Sequence, residues 1–146
     1  MSSFPIDGMD IFFPDWGHVD ERGLVYTTSF NFDKEFVEEK VSISQTNVMR
    51  GFHGDPHTGK LFTCFSGKLK MVVVDRRKGS KTFFRGGTRG LFSTILSADR
   101  NTHLYVPPGC LNAHYVIEGP ATLHYKTTSK YKGIAFQKTV RWDDTI

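Results

Sequence analysis

The sequence predicts an all-β protein, an antiparallel sandwich or barrel, and three observations carry that prediction. Short runs rich in Val, Ile, Phe, Tyr and Thr recur along the chain; these residues fit a pleated, half-buried surface. Gly, Pro, Asn and Asp interrupt them at close intervals, as hairpins require. No stretch sustains the 3.6-residue apolar period of a helix, which sets aside helical bundles and alternating α/β folds.

In order, Ile11 to Trp16 is an apolar, aromatic segment, followed by the turn signal His18-Val19-Asp20-Glu21-Arg22-Gly23. Leu24 to Phe32 is predicted as a strand. Asp33 to Lys40 sets Phe36 and Val37 among charges and reads as one short helix or a turn. Val41 to Met49 alternates, with Val41, Ile43 and Gln45 on one face and Ser42 and Ser44 on the other. Leu61 to Ser66 and Leu69 to Val74 form a predicted hairpin about Ser66-Gly67-Lys68, and Arg77-Lys78-Gly79-Ser80 reads as a turn. Further short strands are expected at Leu91 to Leu96, His103 to Val106, His114 to Ile117, Ala121 to Thr128 and Ile134 to Val140, with a sharp turn at Pro107-Pro108-Gly109. There is no internal repeat, no low-complexity tract and no composition break, so residues 1–146 are expected to form one domain.

A chain of 146 residues can bury a core without disulfides or a structural metal. The formal charge of +4 and the isoelectric point of about 9.1 suit an anionic ligand, although an ordinary solvated surface has the same balance. The basic cluster Arg76-Arg77-Lys78 with Lys81 sits at a turn and is accompanied by no nucleic-acid-binding motif, so no nucleic-acid partner is expected. Cys64 and Cys110 lack the spacing of a metal knuckle and are expected as free buried thiols. The N-terminus has no basic region leading into an apolar run, and no segment approaches the ~20 apolar residues of a membrane helix. A cytoplasmic protein with no membrane association is therefore expected.

Chemistry is expected at Arg50 to Lys60, where Arg50, His53, Asp55, His57 and Lys60 gather just before an apolar strand. Around this stretch lie Asp20-Glu21-Arg22-Gly23, Met49-Arg50-Gly51-Phe52-His53, Gly59-Lys60-Leu61, Phe65-Ser66-Gly67, Val72-Val73-Val74-Asp75-Arg76, Leu96-Ser97-Ala98, Val106-Pro107-Pro108-Gly109, Tyr125-Lys126-Thr127-Thr128 and Arg141-Trp142-Asp143-Asp144. Taken in this order over nearly the whole chain, they resemble the dTDP-4-dehydrorhamnose 3,5-epimerases, a branch of the cupin superfamily. The resemblance implies a cupin jelly-roll barrel, a homodimer, a nucleoside-diphosphate 4-keto sugar as substrate, and no cofactor or metal. The residues add to the last point. Metal-binding cupins supply a carboxylate and a later His where this chain has Lys60 and Asn112, and a divalent ion beside Lys60 would be repelled.

Epimerisation beside a ketone needs a base for the α proton, a stabiliser for the enolate oxygen, and an acid on the other face. The resemblance assigns His53 as base, Lys60 as stabiliser of the enolate oxygen or of a phosphate, and Tyr131 as acid. It assigns Arg50, whose planar fork suits paired phosphate oxygens, and Arg22 to substrate binding, with Asn112 in the place of the later His. His57 is close enough in sequence to His53 to line the same mouth. A structural ion pair of Arg50 with Asp55 is the plain alternative, as strand capping is for His53. His103, His114 and His124 read as rim or packing residues, and Asp75 as a residue that orders the following turn. Tyr105, Phe62 and Trp142 can stack on a base or sugar, or simply fill a core.

The chain departs from the family pattern at Met71, Asn112 and Thr27, where the family has Asp, His and an acidic residue. The sequence ends at Ile146, before the segment whose Asp orients the family's catalytic His, and Asp55, Asp143 or a residue of a second subunit is expected to substitute. The leading expectation is an epimerase acting at C3, at C5 or at both. A 3,4-ketoisomerase and a non-catalytic sugar-nucleotide-binding cupin are the alternatives, with a metal-dependent cupin behind them.

Overall fold

The structure is a computed structural model describing residues 5–28, 33–141 and 143. The expected strand through Phe32 therefore runs partly outside the described residues, as do Trp142, Asp144 and Ile146. Ten strands follow in chain order: β1 Asp10–Phe12, β2 Gly17–Asp20, β3 Gly23–Tyr26, β4 Glu38–Ser44, β5 Met49–Gly54, β6 Lys60–Asp75, β7 Leu91–Ser97, β8 His103–Val106, β9 Cys110–Thr127 and β10 Lys138–Thr139. One 3₁₀ turn, Ile134–Phe136, is the helical element among the described residues. It lies where the sequence predicts the start of a strand, which is reduced to β10. The helix considered over Asp33 to Lys40 is absent: residues 34–37 are irregular and β4 begins at Glu38.

Two long antiparallel strands, β6 and β9, organise the molecule. The first part of β6 pairs β8 and its second part pairs β7. The second part of β9 pairs β4 and its first part pairs β5. The two long strands pair with each other throughout, from Lys60↔Thr127 to Asp75↔Cys110. Two layers result, β1-β8-β6-β9-β4 and β7-β6-β9-β5-β10, which is the double-sheet plan of a jelly roll. β2 and β3 form a separate hairpin sheet.

The predicted hairpin at Ser66-Gly67-Lys68 is therefore a bulge within one strand rather than a turn. The ladder to β9 slips register between Cys64 and Leu69, and a bulge of this kind bends a strand so that it passes from one sheet to the other. Gly67 stands there at φ +72°, and a Cβ would come within 2.4 Å of the Glu118 carbonyl oxygen, so a residue read as a turn former is demanded by close backbone approach. The strands expected at His114 to Ile117 and Ala121 to Thr128 likewise merge into β9.

The main core lies between the layers and includes Leu69, Met71, Val73, Leu104, Val116 and Leu123. A second cluster, Phe52, Val74, Leu111 and Ala113, covers the other face of the β5–β9–β6 layer with Val72, Phe84 and Val140. Met71, at a departure from the family pattern, is fully buried in the first cluster. Asp75 orders its turn as expected: it accepts from Arg77 Nε (2.9 Å), Arg77 Nη2 (2.8 Å), Ser80 Oγ (2.7 Å) and Thr82 Oγ1 (2.6 Å). Cys64 and Cys110 are free and buried.

Candidate active site

A cavity of about 350 Å³ opens into the barrel, within the size range of small-molecule sites. Lys40, Ser42, Arg50, His53, Asp55, Lys60, Asn112, His114, Tyr125 and Tyr131 are among the residues lining it. His53 and Arg50 both face it although they are three residues apart, which in a regular strand puts side chains on opposite faces. The register slip in β5 between Arg50 and His53 supplies the extra residue. Gly51 makes that slip possible, for its φ is +125° and a Cβ would lie 2.6 Å from Ala113 Cα.

Four of the expected site residues, Arg50, His53, Lys60 and Asn112, line the cavity wall, and Tyr131 stands at its rim. Lys60 Nζ donates to Asn112 Oδ1 at 3.3 Å. Burial, then the nearby Lys40 charge, lower the Lys60 ammonium to a pKa of about 8, against a partial opposing pull from Asp55. His53 is lowered from its ordinary value, first by burial and then by the Lys60 and Arg50 charges. A neutral imidazole at neutral pH is what a base requires. Its Nδ1 lies 3.3 Å from Thr139 Oγ1 on the paired strand β10. Asp55 instead accepts the His57 backbone N–H at 2.7 Å, and Asp143 is held by Arg141 at 2.8 and 2.9 Å. Arg50 donates through Nε to Ser44 Oγ at 2.9 Å, and among the described residues no carboxylate pairs with it.

Arg22 and His57 do not line this cavity. Arg22 sits at the tip of the separate β2–β3 hairpin, where Asp20 holds it at 2.5 Å. His57 is an exposed residue of the turn between β5 and β6. Tyr131 is 52% exposed, with Lys40 Nζ 4.8 Å above its ring. The sequence presents Tyr125 only as part of a motif, yet β9 turns its partly buried ring into the cavity, 5.3 Å from Phe62. Nothing in the sequence assigns Lys40 or Ser42 to the site, and His114 reads there as a rim or packing residue. The serine face of β4 turns inward and its Val41–Ile43 face outward, so apolar alternation there points away from the cavity. Of the histidines read as packing, His103 is buried and bonds Thr63 at 2.6 Å, and His124 meets Glu39 at 3.0 Å on the opposite face; His114 alone belongs to the cavity.

A jelly-roll barrel of this plan, with a histidine, a half-buried lysine and a phenol lining its interior, is a cupin. The model of the dTDP-4-dehydrorhamnose 3,5-epimerase family matches residues 5–146, and the chain belongs to that family. It is 33% identical over 124 residues to the dTDP-4-dehydrorhamnose 3,5-epimerase of Escherichia coli, covering 77% of this chain and 64% of that one. The chain thus spans somewhat less than two thirds of that relative. The crystal structure of the Elizabethkingia anophelis dTDP-4-dehydrorhamnose 3,5-epimerase superposes with a TM-score of 0.83 at 27% identity, over 99% of this chain and 81% of that one. A 3'-monoepimerase from Streptomyces bikiniensis, solved with dTDP-quinovose, gives 0.83 at 29% identity over 97% and 74%.

Proposed function

We propose that the protein epimerises a nucleoside-diphosphate 4-keto sugar by removing a proton α to the ketone and returning it on the opposite face. The carrying observation is the juxtaposition of a neutral His53 with the half-buried Lys60 in one cavity. His53 takes the proton, the C–H electron pair moves into an enolate, and the Lys60 ammonium and Asn112 amide stabilise the oxygen. A phenol on the other side returns a proton and is recharged from solvent. Tyr131 is the assignment from sequence; the partly buried Tyr125, directed into the wall beside Phe62, has the better geometry for a donor shielded from water. Arg50, Lys40 and Lys130 supply cations for the diphosphate. Membership of the family and the monoepimerase likeness support either single or double epimerisation.

A homodimer belongs to the same proposal. Val41 and Ile43 are 62% and 64% exposed, and Phe65, on the same outward face beside His124, is 43% exposed. Contiguous apolar surface of this kind marks an interface, and light scattering on the Ile43→Lys variant tests it. Two buried free thiols fit a reducing, cytoplasmic compartment.

The experiment incubates the protein with a dTDP-4-keto-6-deoxyhexose in deuterated water and follows the sugar protons by NMR. Exchange at C3 and C5 is expected of a double epimerase, and at C3 alone of a monoepimerase. His53→Ala is expected to abolish exchange by at least ~10³-fold with an unchanged melting temperature; exchange at the wild-type rate removes the base from His53. Tyr125→Phe and Tyr131→Phe, compared in the same assay, identify the acid.

A further inference from the structure

The cavity has two walls. β5 and the first part of β9 bring Arg50, His53, Asn112 and His114 to one, while β4 and the second part of β9 bring Lys40, Ser42 and Tyr125 to the other. Tyr131 joins the second wall because β4 holds it. The side chain that does so is Glu38, which is not among the residues lining the cavity.

Glu38 opens β4 and pairs in register with Thr127 at the end of β9. Past Thr127 the chain is tied as far as Ser129. The Thr128 N–H donates to the Gly59 carbonyl at 3.0 Å, Thr128 Oγ1 accepts the Gly59 N–H at 2.9 Å, and Ser129 Oγ bonds Thr58 Oγ1. From Lys130 to Gly133 the backbone is irregular, and the Tyr131 amide is the one N–H of that run with a partner among the described residues. It donates to Glu38 Oε2 at 3.0 Å. The same oxygen meets Lys40 Nζ at 2.8 Å. That ammonium lies 4.8 Å from the centre of the Tyr131 ring and 6.0 Å from that of Tyr125. Lys40 first, then the Tyr131 amide, hold the Glu38 carboxyl below its ordinary value, so it is ionised at neutral pH.

We infer that Glu38 is a positioning residue for reprotonation: by fixing Tyr131 and Lys40 it sets the phenol-bearing wall from which the proton returns on the face opposite His53. The inference rests on the function proposed above and holds for either phenol as the acid. Glu38 acts on Tyr131 through its main chain, and on both rings through the cation beside them. The enolate left by His53 has two fates. A proton returned by His53 gives exchange with retention, and a proton returned by the phenol gives inversion. Loss of order on the second wall alone therefore changes the ratio of inversion to exchange. A defect in binding or folding lowers both together.

The test incubates the full chain, wild type and variant, with a dTDP-4-keto-6-deoxyhexose in deuterated water. NMR reads the loss of the α-proton signal and the growth of the inverted isomer. In Glu38→Ala the ratio of inversion to exchange is expected to fall at least about fivefold. Glu38→Asp keeps the charge but is one methylene too short to span both partners; it is expected to lose inversion as well, and decides the matter if Glu38→Ala does not fold. Glu38→Gln keeps an acceptor of the same length and should recover most of the ratio. A wild-type ratio in Glu38→Ala and Glu38→Asp overturns the inference, as does exchange that falls in step with inversion, or a Gln variant as impaired as Ala; the proposed function then still stands. A wild-type chain that catalyses no exchange overturns the proposed function, and the inference with it.

Discussion

Asp75 and the pair Lys60–His114 are both ionisable groups within the same barrel, yet the protein treats them in opposite ways. Asp75 is fully buried and accepts from Arg77, Ser80 and Thr82, while Arg77 also donates to the Asp7 carbonyl at 2.7 Å. Burial by itself raises its pKa; the bonds from Arg77, Thr82 and Ser80 outweigh that and hold the carboxyl well below the usual carboxylate range. Among the described residues Lys60 has Asn112 alone as a hydrogen-bond partner and burial lowers its pKa to about 8, and His114 Nε2 has no partner. A buried charge with every lone pair answered is scaffold. One left short of partners costs stability, and the fold carries that cost where a ligand is to be met.

The largest test of this contrast is Asp75→Ala. It strands Arg77, Ser80 and Thr82 around an empty position and is expected to destabilise by about 3–5 kcal/mol, read as a fall in denaturation midpoint at unchanged m-value. The sign of the pH dependence follows from the depressed pKa: Asp75 contributes its stability above the unfolded carboxylate pKa near 3.8, and the contribution is lost as pH falls below that value. A wild-type chain no more acid-sensitive than the variant would contradict the assignment.

Lys60→Met should act in the opposite direction. A lysine with a folded pKa of about 8 against a model value of 10.5 costs stability below pH 8, and the cost is relieved as pH rises from about 8 toward 10.5. Removing it is expected to stabilise the fold at pH 7 by on the order of 2 kcal/mol and to erase that rise, while exchange falls steeply. The same variant withdraws a cation from His53, so the acid limb of any residual pH–rate profile should move to higher pH. A melting temperature below wild type at pH 7 would place Lys60 with Asp75 as scaffold.

Thr139→Val gives the smallest effect. It removes the hydroxyl beside His53 Nδ1, a contact that orients the ring. Turnover is expected to drop about tenfold, ~1.4 kcal/mol, with little change in KM. Recovery in Thr139→Ser and none in Thr139→Val separates orientation from packing; an unaltered kcat in Thr139→Val shows that the ring is held by other contacts.

The site was partly legible before the structure because its densest segment is local. Arg50, His53 and Lys60 fall within one short stretch with recognisable motifs, and Asn112 follows a Pro-Gly turn that stands out in any sequence. Ser42 and Lys40 were hidden for a physical reason: β4 is amphipathic, but its apolar face looks outward, so the usual equation of apolar with inside reverses. His114 carries no local signal, since nothing in its neighbours says which way β9 faces. Arg22 reads as a binding residue in one dimension and lies on a separate hairpin in three.

Alternation, turn residues and motif order determined, from the sequence by itself, that the chain is all-β, that Asp75 orders a turn, and that ionisable residues gather at the head of a strand. These are properties of a few neighbouring residues, and period-two geometry and turn chemistry act over that range. Tertiary structure alone decided that Gly67 bends one continuous strand rather than closing a hairpin, that the bulge at Gly51 turns Arg50 and His53 to the same side, and that His114 and Ser42 line one cavity. Each depends on what a distant strand places opposite, and the register between strands far apart in the chain is set by how the whole core packs.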